Sequence, residues 1–142
     1  MSEHEATANS EQVLKLFLRL IGSAALLALI FVAAPHAWMD AIHVQMGMGQ
    51  LPDAPVVGYL ARSTSAFYAL LGGLLWVVSF DLGRHRLVLI YLGGAITLFG
   101  GTLLVVDWWE GMPLFWKIWE GPFVIAFGLS VLFLSRSISQ IS

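Results

Sequence analysis

Four apolar stretches, each about as long as a helix needs to cross a bilayer, account for most of this 142-residue chain. Each approaches or exceeds the ~20 residues that a spanning helix needs at ~1.5 Å per residue. Composition agrees, because 58% apolar residues, 11% charged residues and a mean hydropathy of +0.83 exceed what a soluble domain carries. The sequence therefore predicts an all-α fold, an integral membrane four-helix bundle in one domain over residues 13–142, with spans at 13–34, 56–80, 87–106 and 114–134.

Charge and cysteine content exclude two classes of function. The net charge is −2 and the seven Lys and Arg residues are scattered, so the chain has no basic surface for nucleic acid. The chain contains no cysteine, which excludes disulfides and dithiol redox chemistry.

The distribution of cations predicts the orientation in the membrane. Only Arg62 and Lys117 fall on one side, and the other side carries Lys15, Arg19, Arg84, Arg86 and Arg136. The positive-inside rule then places both termini and the second loop in the cytoplasm. A cleaved signal peptide ending near Ala33 and Ala34 is the alternative for the first span, but three glutamates precede Lys15 where a basic region is expected.

The connections between the spans differ in character. Residues 1–12 are polar and without periodicity, which predicts a disordered cytoplasmic tail. Residues 36–46 carry apolar side chains at near-helical spacing, which favours a short interfacial helix in the first outer loop. Asp81–Arg86, with Gly83 at its centre, is expected to be a tight turn.

Small residues mark the helix faces expected to pack closely. Gly72 and Gly73 lie on the face of the second span that begins at Arg62, and the third span carries Gly93, Thr97 and Gly101 at four-residue spacing. Small residues let helix backbones approach, so these faces are expected in the bundle interior. Val78 is expected to face lipid.

An outer cluster of charged and aromatic residues is the candidate site. Arg62 and Glu120 each lie about 9 Å inside a span, at ~1.5 Å per residue, and enter from the same side. Asp107 and Glu110 stand at the outer end of the third span, close in sequence to Trp108, Trp109, Trp116 and Trp119. A charge at such depth is costly unless it is paired, so Arg62 is expected to meet Glu120 or Asp107.

The same cluster fits a structural role or a binding role. It can pin three helices by an ion pair, with the Trp residues as an interfacial belt. Five of the six Trp residues fall on the outer side, however, which is uneven for a belt. The alternative is a pocket walled by Trp109, Trp116 and Trp119, in which Arg62 and the carboxylates orient a lipophilic ligand.

His36, Asp40 and His43 are weak candidates for a metal site, because their spacing places them on one face of a helix and both residue types ligate zinc. No second segment supplies an obvious further ligand, so no metal is predicted. Bis-histidine haem is also not expected, since His85 lies in the opposite loop. No cofactor is predicted.

Three motifs carry a family resemblance: Tyr59–Ser65, Asp107–Pro113 and Trp119–Pro122. With them the chain resembles, from the first span onward, small four-span bacterial proteins of the BphX-like kind, near the group with a DoxX-like four-helix arrangement. The resemblance implies a four-helix bundle in the bacterial inner membrane. It transfers no catalytic residue, and the stretch from His36 to His43 matches it less clearly.

Two classes of function remain. The favoured one is a non-enzymatic membrane protein that binds a lipophilic small molecule, a partner membrane protein or further copies of itself through the outer cluster. The alternative is an enzyme acting on a sterol-like, isoprenoid or quinone substrate by carboxylate acid/base chemistry. A transporter is less favoured, because four spans enclose little space and no inverted repeat is visible.

Overall fold

The computed structural model describes residues 3–138, with side chains from residue 8 onward. Its elements are six helices: α1 (Glu3–Leu26), α2 (Leu29–Ala33), α3 (His36–Gln45), α4 (Pro55–Val78), α5 (Arg86–Trp109) and α6 (Leu114–Arg136). Four helical segments are long and apolar enough to cross a membrane: Ala8–Ala33, Pro55–Val78, Arg86–Trp109 and Leu114–Arg136. The all-α, four-span fold class is confirmed, and the chain is a multi-pass membrane protein.

The N-terminal segment differs from its prediction. Helix α1 begins at Glu3, so most of the stretch expected to be an irregular tail is helical. Ala, Glu and Gln in this stretch favour helix, and adding residues to an existing helix is easier than nucleating a new one. The expectation of disorder rested on polarity and on the absence of periodicity, which do not exclude a helix.

The helix of the first span is interrupted within its apolar stretch. Helix α1 ends at Leu26, and α2 runs over Leu29–Ala33 before Ala34 and Pro35 adopt extended backbone. A proline disfavours helical conformation in the residue before it, which explains why α2 stops there. The short helix expected after it is present as α3; its position at the membrane interface stays a prediction.

The helices form two units. The first, called here the α5–α6 unit, comprises the described residues 3–18 and 78–138. The second, the α3–α4 unit, comprises Arg19–Val77.

In the α5–α6 unit, two antiparallel helices approach through glycines. A Cβ atom added at Gly93 would lie 2.7 Å from the backbone nitrogen of Leu132, and one at Gly100 would lie 2.7 Å from that of Ile125. From the facing helix, a Cβ at Gly128 would lie 2.5 Å from the backbone nitrogen of Thr97. Real Cβ atoms do not come this close, so the backbones touch only because these positions are glycine.

The predicted turn before this hairpin is also present. Residues 82–85 form the turn, and α5 begins at Arg86. A side-chain oxygen of Asp81 accepts the backbone N–H of Arg84 at 3.0 Å, which closes the turn. At the same end of the unit, the guanidinium Nε of Arg86 donates to the backbone carbonyl of Ser135 at 3.1 Å, where α6 ends.

The α3–α4 unit contains a second close approach, between α1 and α4. A Cβ at Gly72 would lie 2.6 Å from the backbone oxygen of Gly22 and 2.9 Å from the backbone nitrogen of Leu26. The small-residue prediction is thus confirmed for Gly72 as well as for Gly93 and Thr97.

Three packing expectations were wrong in detail. A Cβ at Gly73 or at Gly101 would meet no atom within 4 Å, so these positions do not hold helices together. Val78, expected to face lipid, is only 1% exposed. Neighbouring residues on a helix point about 100° apart, so a sequence in which both members of a pair are small does not reveal which one faces a neighbour.

Candidate functional site

Arg62 lies in α4 and is half-buried. Its Nη1 donates to the backbone carbonyl of Val32 at 2.5 Å, and its Nη2 donates to that of Ala34 at 2.9 Å. These carbonyls lie at the end of α2, where the last C=O groups of a helix have no partner within the helix. Within the α3–α4 unit, Arg62 therefore caps the C-terminus of α2. Its expected pairing with Glu120 or Asp107, which belong to the other unit, stays a prediction.

Asp107 and Glu120 come together where α5 ends and α6 begins. Asp107 is 4% exposed, and its buried Oδ2 has no hydrogen-bond partner among the described residues. Glu120 is half-buried, and its Oε2 accepts the indole N–H of Trp116, one helical turn earlier, at 2.6 Å. The two carboxyl groups lie within electrostatic reach of one another. We call them the carboxyl pair.

An aromatic hollow adjoins the carboxyl pair. It has a volume of about 440 Å³ and is lined by Phe115, Trp116, Trp119, Glu120 and Phe123 of α6. The rings of Phe115 and Trp116 pack edge to face, with centroids 6.1 Å apart. Glu120 is the only ionisable side chain among these lining residues. Such a surface suits a ligand that is mostly apolar and carries one polar group.

The remaining members of the predicted cluster lie outside this lining. Trp109 is 85% exposed and Glu110 is exposed, and neither is among the residues that line the hollow. The ammonium of Lys117 lies 4.6 Å from the ring centroid of Trp108, a cation–π arrangement. The structure thus brings together Asp107, Glu120, Trp116 and Trp119 of the predicted set.

The side chains of α3 fasten the following loop. Oδ1 of Asp40 accepts the backbone N–H of Leu51 at 2.6 Å, and Nδ1 of His43 donates to the backbone carbonyl of Gly49 at 2.9 Å. Nε2 of His36 is buried with no hydrogen-bond partner in the described part of the chain. No three His, Asp or Glu side chains of the described residues are placed to hold a metal ion.

Two lining residues, Phe115 and Phe123, were not predicted. They lie four residues before and after Trp119, so all three share one face of α6. The signal that identifies them is their four-residue spacing from Trp119, which already belonged to the predicted cluster. The predicted cluster contains only the aromatic residues nearest in sequence to a charged side chain, so Phe115 and Phe123 fall outside it.

No protein-family model, curated protein or solved structure matches this chain.

Proposed function

We propose that this membrane protein binds a lipophilic small molecule in the aromatic hollow of α6. The observation that carries the proposal is the composition of the hollow: four aromatic side chains around one carboxylate, in a volume of about 440 Å³. Pockets for small ligands typically hold ~300–1,000 Å³ and combine apolar walls with few polar groups. Trp119 and Phe123 are 70% and 51% exposed, so their rings are accessible to a ligand.

The orientation and location of the protein belong to the same proposal. The cation distribution supports cytoplasmic termini, which places the hollow in the outer leaflet. The resemblance to BphX-like proteins favours the bacterial inner membrane. A ligand would then enter from the outer leaflet or from the lipid itself, and no nucleic acid is involved.

An enzyme is a second candidate, favoured by the buried Oδ2 of Asp107, which lacks a hydrogen-bond partner among the described residues. A carboxyl oxygen that accepts no hydrogen bond can act as general acid or base on a sterol-like, isoprenoid or quinone substrate. The two candidates differ in outcome, since an enzyme would alter the bound molecule chemically during incubation.

Mass spectrometry of the protein purified in mild detergent tests the proposal. We expect a lipophilic compound in near-stoichiometric amount, and we expect Trp119→Ala and Phe123→Ala to lower its occupancy. Phe133→Ala is the matched control, because Phe133 is an equally aromatic, 70% exposed side chain near the other end of α6. Equal occupancy in all three variants would contradict the proposal. An empty protein attached to other subunits, or to further copies of itself, would favour the assembly function instead.

A further inference from the structure

Within the α5–α6 unit, the carboxyl pair gives the hollow negative charge that no described cation of that unit offsets. Among the described residues, Glu120 accepts the indole N–H of Trp116 and makes a hydrogen-bond contact with the carboxyl of Asp107, and neither contact brings a positive charge; Oδ2 of Asp107 accepts no hydrogen bond. An indole N–H is a neutral donor, so it stabilises the carboxylate without cancelling its charge. The nearest cation along α6, Lys117, has its ammonium over the ring of Trp108.

Burial makes this charge costly. Asp107 is 4% exposed and sits at the end of a membrane-spanning helix, where carboxylates are rare unless they meet a partner. Two carboxyl groups within electrostatic reach raise that cost, because like charges repel more strongly in an environment of low dielectric constant. A bound cation would lower both the cost of burying the Asp107 carboxylate and the repulsion between the two carboxyl groups.

The walls of the hollow fit the rest of such a ligand. Trp116 and Trp119 precede Glu120 by four positions and one position on the same helix, and indole faces attract organic cations. Phe115 and Phe123 extend the apolar surface on either side, which suits hydrocarbon or aryl groups rather than a hydrated metal ion. We propose that the ligand of this site is a lipophilic monocation, such as a hydrophobic amine or quaternary ammonium compound, with its charge between Glu120 and the Trp rings. This inference rests on the proposed function and specifies its ligand class.

Two probes of the same shape and opposite charge test the inference. Binding of tetraphenylphosphonium and of tetraphenylborate is measured by equilibrium dialysis of the purified protein against matched empty micelles. We expect the cation to bind at least about tenfold more tightly than the anion, as expected when one member of a desolvated charge pair is absent or reversed.

Variants identify the residue responsible. Glu120→Gln removes the charge while its amide oxygen can still accept the Trp116 indole, so it should weaken binding of the phosphonium about tenfold and narrow the difference between probes. Asp107→Asn should act in the same direction, which provides a second variant if the first does not fold. Asp53→Asn, which removes an exposed carboxylate in the loop before α4, is the control and should leave the affinity unchanged.

Neutral triphenylphosphine oxide separates failure of the inference from failure of the proposed function. Equal binding of both ions, or phosphonium binding unaffected by Glu120→Gln and Asp107→Asn, overturns the cation preference. If the neutral probe still binds and Phe123→Ala abolishes that binding, the proposed site for a lipophilic molecule stands, and only its preference for cations is wrong. If none of the three probes binds, both proposals fail.

Discussion

At the scale of single residues, Arg62 shows what a guanidinium inside an apolar segment requires. Lipid supplies no water to the carbonyls at the end of α2, and each carbonyl left without a donor is costly. A guanidinium carries five N–H donors, and two of them reach Val32 and Ala34. Such a residue requires hydrogen-bond acceptors, and backbone carbonyls serve as acceptors as well as carboxylates do.

Arg62→Met should therefore lower stability by about 1–3 kcal/mol, because it leaves two carbonyls without their donors. The measurement is thermal unfolding in detergent, followed by the loss of helical circular dichroism. Arg84→Met is the control, since Arg84 lies exposed in the turn before α5. The pairing of Arg62 with a carboxylate is a separate prediction, which the double variant Arg62→Met, Glu120→Gln tests. Partial recovery of stability would show that Arg62 also pairs with Glu120, and a merely additive loss would favour Asp107.

At the scale of elements, the α5–α6 hairpin depends on contacts at single glycines. Gly93, Gly100 and Gly128 lie where the two backbones touch, whereas Gly101 lies beside the contact and faces open space. In a membrane, helices gain little hydrophobic energy from association, so close packing of backbones must supply much of the stability. The packing of the hairpin also fixes how far α5 and α6 are shifted along one another, and this shift brings Asp107 and Glu120 together as the carboxyl pair.

Gly100→Leu and Gly101→Leu form a matched pair of adjacent substitutions. We expect Gly100→Leu to lower stability by about 1–3 kcal/mol or more, because overpacking forces the helices apart. Gly101→Leu should change it little, since no atom lies within 4 Å of its added Cβ. The melting temperature in detergent is the measurement. Equal tolerance of both variants would be incompatible with the close approach of α5 and α6.

At the scale of the whole molecule, the four spans and the cation distribution together predict the membrane topology. The cations in the turn before α5 and at the end of α6, together with Lys15 and Arg19 of α1, favour the cytoplasmic side for these segments. The side of the membrane matters for function, because it decides whether the aromatic hollow meets compounds from outside the cell or from the cytoplasm.

Single cysteines can test this topology directly, because the chain has no native cysteine. A cysteine at Gln50, in the loop between α3 and α4, should react with an impermeant maleimide in intact cells. One at Gly83 should react only after the membrane is permeabilised. Gln50 is preferable to the neighbouring Gly49, whose φ of +80° would be strained by any side chain. The reverse labelling pattern would place the hollow on the cytoplasmic side.

The sequence by itself determined the properties that add up along the chain. The number of spans, their approximate length and the turn at Gly83 follow from runs of apolar residues and their interruptions, which need no knowledge of neighbours. The candidate site was partly predictable for the same reason, since Glu120 and the Trp residues around it share one apolar helix.

Only the tertiary structure decided which side of each helix makes contact. It selected Gly72 over Gly73 and Gly100 over Gly101, and it provided Arg62 with carbonyl partners from a helix about 30 positions away. The physical reason is geometric: adjacent residues on a helix point about 100° apart, and small or polar residues on two faces look alike until a neighbouring helix occupies one of them.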